Sequence, residues 1–90
     1  MSEIMSFPLG EICTSRAAAY HLTKEEILKL IERHASLEQG DLDDYDYKMN
    51  LLGVNSGDRI ISCFEVRGER FYVETSSDRS RTTVYLFGEY

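Results

Sequence analysis

Tryptophan is absent from this 90-residue chain, proline occurs once and cysteine twice. Two isolated thiols, Cys13 and Cys63, cannot build the disulfide framework of a small secreted scaffold. They are expected to be small buried hydrophobes. Met1 to Gly10 has neither a basic start nor a long apolar stretch, so no secretory segment is expected there and the expected setting is cytoplasmic. No apolar run approaches membrane-spanning length. Basic residues are scarce too: 10 Lys and Arg stand against 16 Asp and Glu, a net charge of −6. That balance argues against direct nucleic-acid binding, which rests on clustered Lys and Arg. Acidic proteins more often meet basic protein surfaces.

Enough apolar material is present for a core, with six tyrosines and four phenylalanines among 42% hydrophobic residues. Ninety residues bury too little surface for two cores, so a single domain over 1–90 is expected. Its parts are an N-terminal arm (1–13), a helical part (14–57) and a sheet (58–90). Ser15 to Tyr20 combines a capping serine with good helix formers. Thr23 and Glu26 make a capping box, with Leu22 placed to staple onto Ile27, so a helix should begin at Lys24. Ile27, Leu28, Ile31, His34 and Ala35 share its core-facing side. A second helix is expected from Leu42 to Asn55, stopped at Asn55-Ser56-Gly57. Leu42, Tyr45, Met49, Leu52 and Gly53 share one arc of it, and Tyr47, Leu51 and Val54 a roughly opposite one. Such a helix is covered on both sides or shows an apolar strip.

From Arg59 the period changes. RIISCFEV, ERFYVET and RTTVYLF are rich in β-branched and aromatic residues, with Arg67-Gly68 and SSDRS as the turns between them. The expected fold is α+β, with two main helices packed on a three-stranded antiparallel β-meander. Phe71, Val73, Val84 and Leu86 should face the core, and Tyr72, Tyr85 and Phe87 the outside.

Five acids and no base lie between Glu38 and Asp46. Read as an EF-hand from Asp41, the loop has Tyr45 at its fifth position, Asp46 where glycine is required and Leu52 at its twelfth, so that reading fails. A nucleic-acid decoy needs carboxylates lined along one surface. On a helix Asp43, Asp44 and Asp46 project at roughly 100°, 200° and 40° from Leu42 and surround it instead. A helix start explains more: Asp41 is expected as the cap, with Asp43 and Asp44 in the first turn near the positive end of the dipole. One cap and one or two acids capture most of that benefit, so a surplus of aspartates remains beside Tyr45 and Tyr47.

His21, His34, Cys13 and Cys63 lack the close spacing of a zinc site. His34 falls within an apolar stripe and needs a hydrogen-bond partner there. Asp78, Arg79 and Ser80, with Thr82 and Thr83 beyond, read better as a side-chain-supported turn than as catalytic or phosphate-binding groups. No metalloprotease, phosphate-loop, dinucleotide or nucleophile-elbow motif is present.

The order FPLG (7–10), RH (33–34), GDLD (40–43), DRS (78–80), TT (82–83) and EY (89–90) resembles a family of short acidic proteins encoded on bacterial plasmids, integrative elements and prophages, some labelled as restriction-modification subunits. Members often carry a tryptophan before the GDL element, where this chain has Glu38-Gln39-Gly40. The resemblance implies mobile-element biology, in which short acidic proteins often inhibit host defence. It carries no catalytic residues.

The expected function is therefore non-enzymatic, without metal or cofactor: inhibition of a CRISPR or restriction effector through a basic surface on that partner. The expected contact residues are Asp43, Asp44, Tyr45, Asp46, Tyr47 and Leu51. The alternatives are an accessory factor of the element that self-associates, as a homodimer, through Tyr72, Tyr85 and Phe87, and a small zinc protein using Cys13, His21 or His34.

Overall fold

The signals around Thr23 produce the helix they predict. Thr23 Oγ1 accepts from the Glu26 amide at 3.1 Å, and the Thr23 amide donates to Glu26 Oε1 at 2.8 Å. Leu22 and Ile27 both join the core cluster, closing the staple. The computed structural model describes residues 7–88, and its fold is α+β. Its elements are β1 (Glu11–Thr14), α1 (Arg16–His21), α2 (Lys24–Ala35), α3 (Asp44–Ser56), β2 (Ile60–Val66), β3 (Glu69–Thr75) and β4 (Arg81–Leu86). Helix α2 ends without glycine: Leu37 takes a left-handed φ of 59°, its amide bonding His34 O while that of Glu38 bonds Arg33 O.

The sheet departs from the expected three-stranded meander. Strands β2, β3 and β4 are antiparallel neighbours, but β1 adds to β4 in parallel and gives the order β1-β4-β3-β2. Part of the expected N-terminal arm is thus a strand. Glycine permits this docking at Gly10, where φ is +67° and a Cβ would lie 2.4 Å from the Ser80 backbone. The Arg67-Gly68 hairpin has φ of 50° and 84°, the twist that two-residue hairpins favour.

Helices α1 and α2 cover one face of the sheet. Ala18, Leu22, Leu30 and Ile31 meet Phe64, Phe71, Val73 and Val84 in one buried cluster. Each fully buried large side chain here contributes about 1.5–3 kcal/mol. Within α2, Leu30 points inward and Leu28, expected in the core stripe, is exposed. On the opposite face Tyr72 lies against Tyr85 and Phe87, with ring centroids 5.9 and 5.8 Å apart. Tyr85, expected outside, is only 8% exposed, and its hydroxyl donates to Glu74, which also pairs with Arg59.

Helix α3 lies along the edge of the sheet beside β2. An edge strand presents backbone groups that need partners. Asn50 takes both groups of Ile61, and the Asp41 amide donates to Cys63 O at 2.9 Å. Gly53 allows the close approach: a Cβ there would stand 3.2 Å from Ile60 Cδ1.

Candidate functional site

The acidic segment folds as a turn followed by the first turn of α3. Asp43, not Asp41, is the cap: its carboxylate accepts from the Asp46 amide at 2.8 Å. The start shifts by two residues because Gly40, with φ +58°, turns the chain, and the Asp41 amide is drawn to Cys63 O. Asp44 and Asp46 occupy the first turn, where the helix dipole favours them. Asp44 also accepts from Gln39 Nε2 at 3.0 Å.

The six expected contact residues lie on one helix but not on one side of it. Asp43, Asp44, Tyr45 and Asp46 are exposed, Leu51 is 41% exposed, and Tyr47 is half-buried. The open apolar strip runs instead through Tyr45 (70%), Met49 (45%) and Leu52 (57%), spaced as neighbours on one helical face. Met49 and Leu52 stand in the arc that the sequence marks out. Which arc stays uncovered is decided by Asn50 anchoring the helix to Ile61, a contact that periodicity does not register.

Beside this strip a cavity of about 560 Å³ separates α3 from the outer face of β2 and β3. Asp43, Asp46 and Met49 line one wall, Ile61 and Cys63 the floor, and Tyr72 the far wall. Asp41 and Asp58 also border it, and Arg59 and Arg70 stand among them. Burial pushes the Cys63 thiol up, with Arg70 opposing and Asp41 reinforcing the shift.

His34 is wholly buried, and its environment fixes its tautomer. Thr82 Oγ1 donates to Leu9 O at 2.7 Å, which uses its one hydrogen. The 2.7 Å contact between Thr75 and Thr82 must then be donated by Thr75, so Thr75 accepts from His34 Nε2–H, also at 2.7 Å. Neutral Nδ1 in turn accepts from the Ser62 hydroxyl at 2.7 Å. Desolvation pushes the imidazole down to about 4, keeping it neutral. Ser62 and His34 stand at the separation of a nucleophile and its base, yet they are 1% and 0% exposed. The second ring nitrogen faces a threonine where a hydrolytic triad has a carboxylate.

Asp78, Arg79 and Ser80 form a self-supporting turn. The Asp78 carboxylate is held down at about 2, chiefly by the Ser80 hydroxyl and then by that of Ser76. The Arg79 guanidinium turns back to Gly53 O at 3.0 Å and Asp58 O at 2.6 Å, satisfying carbonyls at the end of α3. It also lies 5.6 Å from the Phe7 ring, whose edge meets His34 at 5.3 Å. FPLG, RH, DRS and TT therefore converge on internal contacts, and a Cβ at Gly40 of GDLD would stand 2.5 Å from the Phe64 ring. EY lies outside the described residues.

Among the described residues no three His, Cys, Asp or Glu side chains are grouped to hold a metal ion. Both nitrogens of His34 are already engaged, which removes it from the zinc alternative. No described helix is long and apolar enough to cross a membrane. No family model matches the chain, and comparisons with curated proteins and with solved structures find no match.

Proposed function

We propose that this chain is a non-enzymatic mobile-element protein that binds and inhibits a host defence complex, of the anti-CRISPR or anti-restriction kind, through the acidic, tyrosine-bearing surface of α3. The observation that carries the reading is exposed apolar side chains on the helix that also bears Asp43, Asp44 and Asp46, in a chain of net charge −6. Uncovered Tyr45 and Leu51 gain free energy when a partner covers them, and the carboxylates speed encounter with a basic surface. The setting of host defence rests on the family resemblance.

The test is transformation of a restriction-proficient and a CRISPR-proficient host by a targeted plasmid, with and without this protein. Relief of defence in one host is expected, and its loss with Asp44→Lys and Leu51→Glu. Asp43 stays unchanged in those variants because it caps α3. Unchanged defence in both hosts would sink the proposal.

A second reading, self-association as an accessory factor, is favoured by Phe87, which is 58% exposed and packs with a tilted ring against Tyr72. A sedimentation coefficient that does not change with concentration counts against it.

A further inference from the structure

Building on α3 as the partner-binding helix, we propose that the cavity between α3 and the sheet receives lysine or arginine side chains from a basic amphipathic helix of the partner, whose apolar side lies along Tyr45, Met49 and Leu52. The strip and the cavity share Met49, so they form one continuous surface. Tyr45, Met49 and Leu52 follow the i, i+4, i+7 spacing along which a partner helix packs lengthwise.

Charge complementarity sets the sign of that helix. Asp41, Asp43, Asp46 and Asp58 border the cavity against Arg59 and Arg70, and Arg59 is committed to Glu74 at 2.9 Å. The lining therefore favours a cation. A long cationic side chain fits both halves of it: its methylene stem packs on Met49, Ile61 and Tyr72 while its head reaches the aspartates. A small cation would leave the apolar floor uncovered. An acidic or purely apolar helix would leave the carboxylates facing it unpaired.

The test uses a fluorescein-labelled helical peptide of leucine and lysine, roughly 18 residues long so that it holds a helix, with a leucine–glutamate peptide as control. Anisotropy gives affinity, and amide chemical-shift changes give the site. The lysine peptide should bind, with shifts at Asp46, Met49, Ile61 and Tyr72, and the glutamate peptide should not. Met49→Glu decides between docking and loose charge attraction, because it makes α3 more acidic while removing apolar contact. Docking weakens about tenfold in this variant, whereas unspecific attraction tightens. Met49→Gln gives the same reading of lost contact should Met49→Glu fail to fold. Binding as tight or tighter in these variants overturns the inference. So do shifts confined to Tyr85 and Phe87, or a strip covered by a second copy in sedimentation without peptide. If Asp44→Lys abolishes defence relief while Met49→Glu keeps relief and peptide binding, the function proposed above stands and this docking mode fails. If neither variant changes anything, both fail.

Discussion

Asn50 holds Ile61 by both of its backbone groups: Nδ2 donates to Ile61 O at 2.5 Å, and Oδ1 accepts from Ile61 N at 3.1 Å. The carboxamide thus stands in for a neighbouring strand at the edge of β2. It also sets the rotation of α3, and so determines which helix side chains meet solvent.

Asn50→Ala should cost about 1–3 kcal/mol, because the part-buried Ile61 amide and carbonyl both lose their partner. Urea unfolding measures the loss. The same variant uncovers a strand edge, so light scattering should show faster aggregation on heating. An unchanged unfolding midpoint would show that water replaces the carboxamide without cost.

Stability should fall as pH drops from about 6.5 toward 4. Folding holds His34 neutral and pushes its pKa down to about 4, so between those values the unfolded chain binds the extra proton. The contribution is complete above the unfolded value and lost as pH falls toward the folded one, a difference of roughly 3 kcal/mol. Urea unfolding across that range measures the loss, and the ring-proton titration of His34 by NMR measures the midpoint directly. A midpoint near 6.5 would contradict the sealed network of Ser62, His34, Thr75 and Thr82.

Gly40→Ala should destabilise by about 2 kcal/mol or more. A Cβ there would lie 2.5 Å from the Phe64 ring and 2.7 Å from Cys63 O, at a φ of +58° that side chains rarely adopt. Phe64 is fully buried and has little room to give. Thermal unfolding should show a Tm lower by several degrees. A Tm equal to that of the natural chain would mean that the loop bearing Asp41 can shift freely.

The two aspartates named as caps separate in a paired measurement. Asp43→Ala should cost about 1 kcal/mol by uncapping α3, and Asp41→Ala close to nothing, since Asp41 holds Cys63 through its backbone amide. Equal costs in urea unfolding would return the helix start to Asp41.

Features settled by nearby residues were legible in the chain. Thr23, Glu26, Leu22 and Ile27 cap and staple α2 within six positions, and Arg67-Gly68 closes a hairpin between two adjacent strands. Strand β1 was not legible, because EICT is four residues long and becomes a strand only by pairing with β4. The cap of α3 was misplaced for a related reason: the pull of Cys63 O on Asp41 comes from a strand that follows it in sequence. For the candidate site, the exposure of the aspartates could be read from composition. The cavity could not, because its far wall is supplied by Arg70 and Tyr72 of β3. The buried hydroxyls that bond His34, from Ser62 and Thr75, and the Thr82 hydroxyl behind Thr75 were equally hidden, since all three look like ordinary strand residues until the fold brings them together.

The parallel pairing of Glu11 with Arg81 and Thr14 with Val84 also has a consequence in time. During synthesis β1 emerges among the earliest described residues, and β4, the strand it pairs with, is among the last of them. Until β4 is made, Leu9 O has no Thr82 hydroxyl, Thr75 has no acceptor for its hydrogen, and Gly10 has no turn to settle against. Contacts of such long sequence separation slow folding. Helix α1, which packs on β4, and the hydroxyl network through Thr82 therefore settle only once that strand is present.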